Sequence, residues 1–233
     1  MKIIFEIYYH TRWGESLFLS GDIDELGANE ENRAVMMDYQ GDGLWKYTME
    51  LPASAKKFHY EYLVKSGEGI RREWGSPHSF SPGRNAWEYR LVDRWRDVPA
   101  DLPFYSSAFI QGIFFRQHAA SVVETIDPGT LTVKVDASQL RPDERLVMVG
   151  DCPELGDWDV LKAPLLNDSA FPEWQITLDG RQLKFPFEYK FVIVRTHQRE
   201  VVAWETGENR ICREKPQNPS EAVVVSGLRF NGS

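Results

Sequence analysis

The chain reads as a series of short apolar runs cut by turns. KIIFEIYYH is a β-branched and aromatic run that predicts a strand, and SLFLS predicts a second. LWKYTMEL alternates apolar and polar residues at period two, the mark of a strand with one buried face. Pro52 closes it, because proline cannot donate to a central ladder. FHYEYLV alternates again, Ser66-Gly67-Glu68-Gly69 makes a hairpin turn, and RREW starts the return strand. The loop GSPHSFSPGRN then leads into AWEYRLV, the last strand of this set. After an interruption a similar series follows: LTVKVDA, RLVMVG, EWQITL, FPFEYKFVIV, EVVAWE and, beyond Pro219, AVVVS. No stretch holds a helical period for long. The pattern predicts an all-β fold of two tandem antiparallel β-sandwich domains of immunoglobulin-like type.

The two series are copies. Shifted by 129 positions, Leu17-Phe18-Leu19 falls on Leu146-Val147-Met148, and the GDIDELG run from Gly21 falls on the GDCPELG run from Gly150. Trp45 falls on Trp174, Phe58-His59-Tyr60 on Phe187-Glu188-Tyr189, and Trp74 lands one residue from Trp204. One constant offset over so many landmarks is the signature of a tandem duplication. The expected boundaries are a first domain over 1–97, a linker over 98–129, and a second domain over 130–233. The linker begins with the proline-containing DRWRDVPADLPF and continues into SSAFIQGIFFR. Its Phe109, Ile110, Ile113, Phe114 and Phe115 are too few to cross a membrane and too apolar for a free tether. This segment is expected to pack against folded parts, or else to be the first strand of the second copy.

Composition narrows the classes of function. The chain has 233 residues, long enough for two ordinary domains, and eight tryptophans. The formal charge of −8 argues against nucleic acid, whose binding draws on clustered Lys and Arg. The start MKIIFEIYYHTRW lacks the pattern of a secretory signal and nothing is long enough to span a bilayer, so a cytoplasmic protein is expected. Cys152 and Cys212 are then expected as reduced thiols. The five histidines (His10, His59, His78, His118, His197) show no metal-ligand spacing, and no metal or cofactor is expected. The acidic turn of Asp151, Glu154, Asp157 and Asp159 lacks the spacing of a calcium loop and reads as solvated. No nucleophile, phosphate-loop or dinucleotide motif is present. A glycosidase needs two carboxylates flanking one bond, and no pair here is singled out as catalytic.

What stands out is the run from Gly150 to Arg210. It sets two tryptophans, a lysine, a glutamate and an asparagine on turns and strand ends. A glucose unit offers a C–H face that lies flat on an indole and a rim of hydroxyls that need donors and acceptors. The bland alternative is that such tryptophans are ordinary sandwich core. The order LGDW, EWQITL, FEYKF, AWE and ENR resembles the starch-binding domains of carbohydrate-binding module family 20. That resemblance implies a first sugar site made of Trp158, Lys190, Trp204, Glu205 and Asn209. It also implies a second site on another face, for which the first copy offers Trp13, Tyr39 and Trp45. The second copy has Pro142 where Trp13 would align, and the first has Ala28-Asn29, Glu61 and Gly75 where the first site needs Asp157-Trp158, Lys190 and Glu205. The copies are thus expected to have specialised, Trp74 being what is left of a degraded first site. Trp174 is expected in the core, and Trp45 to be core or sugar contact.

The implied partner is an α-1,4-glucan such as starch, glycogen or a maltooligosaccharide, bound without catalysis. A tandem pair with this kind of linker resembles the front of the disproportionating-enzyme type of 4-α-glucanotransferases in the amylomaltase family. That resemblance implies a catalytic domain downstream in the same polypeptide, starting about where this chain stops at SGLRFNGS. The alternatives are a two-domain immunoglobulin-like protein-interaction module, or the glucan-targeting region of another enzyme of glycogen or starch metabolism.

Overall fold

A computed structural model describes residues 1–83, 85–97, 126–196 and 198–232. The apolar run Phe109–Phe115, most of the expected linker, Arg84, His118 and His197 lie outside the described residues. Among those described there is no α-helix, and no helix is long and apolar enough to cross a membrane. The described residues group into two compact units. One takes in 1–97, 126–128 and 220–227, the other 129–196, 198–219 and 228–232.

The first unit contains β1 (Lys2–Tyr8), β2 (Ser16–Gly21), β3 (Val35–Met36), β4 (Asp38–Gly41), β5 (Leu44–Glu50), β6 (Phe58–Ser66), β7 (Gly69–Arg72), β8 (His78–Phe80) and β9 (Glu88–Arg94). β4, β5, β1 and β9 form one sheet; β3, β2, β6 and β7 form the other, with β8 on β6. β1 runs antiparallel to β5 but parallel to β9, so the sandwich is not wholly antiparallel. Period-two alternation sends Ile3, Phe5 and Ile7 from one sheet and Leu17, Leu19, Phe58, Tyr60 and Tyr62 from the other into one core.

The second unit repeats this plan with β10 (Thr130–Asp136), β11 (Glu144–Gly150), β12 (Asn167–Ala170), β13 (Glu173–Asp179), β14 (Phe187–Arg195), β15 (Val201–Trp204) and β16 (Arg210–Cys212). β12, β13 and β10 pair in one sheet; β11, β14 and β15 pair in the other, with β16 on β14. β5 and β13, and β6 and β14, stand 129 positions apart, as the sequence offset requires. The last strand, β17 (Glu221–Arg229), pairs in parallel with β9 over Glu221–Ser226, and that stretch groups with the first unit.

Every long strand coincides with a run of alternating or β-branched residues. The short strands β3, β4, β8, β12 and β16 do not, since two to four residues carry no readable period and form only because a neighbour offers its edge. Cys152 and Cys212 are both buried, and burial pushes the Cys152 thiol up to about 11, so it stays protonated at neutral pH.

Candidate functional site

β14 is the strand that organises the candidate site. Phe187, Tyr189, Phe191 and Ile193 point into the sandwich, so Glu188, Lys190, Val192 and Val194 must face outward. Val147, Val149, Val192 and Val194 nevertheless form a buried cluster with Val160 and Ala163, and the partly buried Trp158 packs against it. Trp204 sits directly across from Val192, and Lys190 directly across from Val149. Residues directly opposite on neighbouring strands share a face. Trp158, Lys190 and Trp204 therefore belong to one outer surface. Asn209 joins it by donating from its side-chain nitrogen to the Glu188 carboxylate at 2.8 Å.

Local chemistry explains how Trp158 reaches that surface. Gly150 ends β11 where a Cβ would stand 2.5 Å from the Glu188 carbonyl oxygen, so only glycine fits. A 3-10 turn, Pro153–Leu155, follows and closes on Gly156. Asp157 and Trp158 then both adopt positive φ, 50° and 65°, and the Trp158 N–H donates to the Gly150 carbonyl at 2.7 Å. A bulky residue at positive φ is a genuine outlier and points to function. The first unit makes the same turn with Ala28 and Asn29, where asparagine tolerates the conformation far better.

Polar contacts fix the rest. The Lys190 ammonium donates to the carbonyls of Glu205 (3.2 Å) and Gly207 (2.6 Å), which leaves one of its three protons for an incoming hydroxyl. Trp204 keeps 42% of its surface exposed. Glu205 is only 3% exposed, with its carboxylate held inside the protein. It accepts the Phe191 N–H at 2.9 Å and lies 2.9 Å from an Arg210 guanidinium nitrogen. Glu205 thus acts as an internal brace, its carboxylate turned to Phe191 and Arg210. The acidic turn also does more than solvate, because Asp151 accepts the Glu188 N–H at 2.9 Å.

The first unit shows what happened to the same place. Arg72 pairs with Leu63, the counterpart of Val192, so Arg72 and not Trp74 occupies the position of Trp204. Glu73 is the counterpart of Glu205. It accepts the Tyr62 N–H at 3.2 Å, the counterpart of Phe191, and pairs with His78 and Arg96. The degraded site assigned to Trp74 is therefore re-registered. Arg72 bridges Glu31 and Glu61, and Glu61 stands where Lys190 stands in the second unit. An ion cluster occupies the place where the second unit has Lys190 and Trp204. A constant offset of 129 puts Gly75 at the place of Trp204; because the β6–β7 turn is three residues shorter than the β14–β15 turn, Arg72 stands there and Trp74 lies two residues beyond it.

The second set is placed differently. Tyr39 and Trp45 are directly opposite on β4 and β5, their rings 5.1 Å apart, and Tyr39 is 56% exposed. Trp45, expected to be core or sugar contact, is 6% exposed and donates its indole N–H to the Tyr9 carbonyl, so it supports Tyr39 from the core. Trp174 is fully buried in the equivalent position. Trp13 stands fully exposed on the β1–β2 turn, with no ring contact to another described residue.

A family model for the starch binding domain matches residues 1–88 and 130–223. The chain belongs to the starch-binding domain family. The 4-alpha-glucanotransferase DPE2 of Oryza sativa subsp. japonica is 27% identical over 252 residues, covering 97% of this chain and 26% of that protein. The AA13 family lytic polysaccharide monooxygenase A of Aspergillus terreus is 32% identical over 73 residues, covering 30% of this chain and 18% of that one. This starch-binding chain therefore spans about a quarter of the first relative and less than a fifth of the second. Among solved structures, the family 20 carbohydrate-binding module of a maltotetraose-forming amylase from Pseudomonas saccharophila aligns with 42% of this chain and 99% of its own. The identity there is 19% and the TM-score 0.34.

Proposed function

We propose that this chain binds α-1,4-glucan without catalysing its conversion, as the substrate-binding region of a 4-alpha-glucanotransferase whose catalytic domain lies in the same polypeptide. The observation that carries the reading is the outer face of β14. A half-exposed Trp204, a Trp158 held at positive φ, a lysine with one uncommitted proton and an exposed Asn209 meet on one surface. Stacking on two indoles gives apolar area, and the polar groups at the rim select hydroxyl orientation. In the first unit the binding side is the edge bearing Tyr39, with Trp13 on the neighbouring turn. Two weak sites on one polymer raise each other's effective concentration, so avidity exceeds either affinity. The glucanotransferase assignment rests on the rice relative, which matches 97% of this chain.

The test is a titration of intrinsic tryptophan fluorescence with maltoheptaose on the wild type and on Trp204→Ala and Trp13→Ala. A saturable change with two phases is expected, the first lost in Trp204→Ala and the second in Trp13→Ala. A folded wild type that gives no response at millimolar sugar refutes the reading.

A further inference from the structure

Trp13 presents a puzzle, since an indole that touches no other ring among the described residues is useful for stacking only if its turn is held still. The turn is held by Glu15, which closes it twice: its N–H donates to the Arg12 carbonyl at 3.0 Å, and its carboxylate accepts the Arg12 N–H at 2.9 Å. The other carboxylate oxygen accepts from Arg71 at 3.2 Å. The Arg71 guanidinium in turn lies 5.7 Å from the Tyr9 ring centre and 5.9 Å from that of Trp95, two rings packed 4.6 Å apart. Tyr9 is also the residue whose backbone anchors the other half of the expected site. Its carbonyl takes the Trp45 indole N–H at 3.1 Å, and its N–H bonds the Gly43 carbonyl at 2.8 Å. The Gly43 N–H donates to the Tyr39 hydroxyl at 3.3 Å.

The second unit supplies an internal control. Glu144 closes the equivalent turn in the same way, with its N–H to the Arg141 carbonyl at 3.0 Å and its carboxylate to the Arg141 N–H at 2.8 Å. The tip of that turn is Pro142, and the strand register puts Ala203 where the first unit has Arg71. At that register position the copy whose turn carries a tryptophan has arginine, and the copy whose turn carries proline has alanine.

We infer that Arg71 is a positioning residue for glucan binding by the first unit, coupling the Trp13 turn through Glu15 to the Tyr9 frame that holds Tyr39 and Trp45. This rests on the proposed glucan-binding reading. Arg71 suits the role because its planar guanidinium stacks on two rings while it pairs with a carboxylate, which a lysine ammonium does only in part. Holding the turn in the free protein removes an ordering cost that binding must otherwise meet.

The experiment uses the full 233-residue chain carrying Trp204→Ala, so that maltoheptaose binding reports on the first unit. Arg71→Ala in that background is expected to weaken binding about three- to tenfold, the ordering cost of one or two immobilised groups. Arg71→Lys is expected to fall between, with thermal unfolding midpoints close to the parent for both. In 5-fluorotryptophan-labelled protein, the Trp13 resonance, identified by its loss in Trp13→Phe, is expected to shift and broaden in Arg71→Ala. Arg71→Ala binding within twofold of the parent overturns the inference, as does an unmoved Trp13 resonance. If Arg71→Ala lowers the unfolding midpoint substantially, Arg71→Lys decides, and parent-like binding by that variant with an unmoved resonance also overturns it. If Trp13→Ala binds as tightly as the parent, the glucan reading of this surface has failed, whatever Arg71 does.

Discussion

Replacing Glu205 separates an internal brace from a sugar contact. In the folded chain its carboxylate satisfies the Phe191 N–H and neutralises Arg210, whose side chain is only 21% exposed. Glu205→Ala leaves a buried N–H without a partner, at about 1–3 kcal/mol, and strands a largely buried guanidinium. Removing one member of a buried pair costs about 3–5 kcal/mol, and the residual exposure of Arg210 puts the total near the lower end, about 3 kcal/mol. Glu205→Gln keeps a neutral acceptor for Phe191 and loses only the charge, so about half that is expected. The assay is urea unfolding followed by fluorescence and circular dichroism together, since a chain of two compact units need not unfold in one step. Maltoheptaose affinity is measured on the folded Gln variant. The expected result is a clear stability loss with affinity within about threefold, because the carboxylate is turned inward to Phe191 and Arg210. Unchanged stability with a tenfold or greater loss of affinity in Glu205→Gln would refute the brace.

Two further outcomes follow from the same geometry. Burial pushes the Glu73 carboxyl up, but His78 and Arg96 outweigh it and hold the folded value below the ordinary 4.5. Burial likewise pushes the Asp22 carboxyl up, but the His59 backbone N–H and ring outweigh it and hold it below its ordinary value. A depressed carboxyl contributes stability above its unfolded pKa and loses it as pH falls through the folded value. The unfolding midpoint of the wild type is therefore expected to drop below about pH 4.5, less steeply in Asp22→Asn; a flat profile from pH 6 to 3 would contradict this. The triple variant Asn29→Trp, Glu61→Lys, Arg72→Trp is expected to create maltoheptaose binding that survives loss of both Trp204 and Trp13, because the turn and the Glu73 brace are already in place. Isothermal titration reads the added site.

The duplication, the two-sheet architecture and the long strands were legible in the chain, because period-two alternation states which face of a strand is buried before any partner is known. So was the placement of Trp158, Lys190, Trp204 and Asn209 on turns and strands, since such positions are set by local sequence. Three things required the tertiary structure. Glu205 and Asn209 look alike in sequence as polar neighbours of Trp204, yet one points inward to Arg210 and the other outward, and only packing decides that. The register of β7 placed Arg72, not Trp74, opposite Leu63, because turn length alone sets which residue meets which across a hairpin. The clamp of Arg71 on Tyr9, Trp95 and Glu15 joins residues 56 positions apart along the chain, from Glu15 to Arg71. No local pattern encodes such a contact, because it exists only once two sheets have closed on a common core.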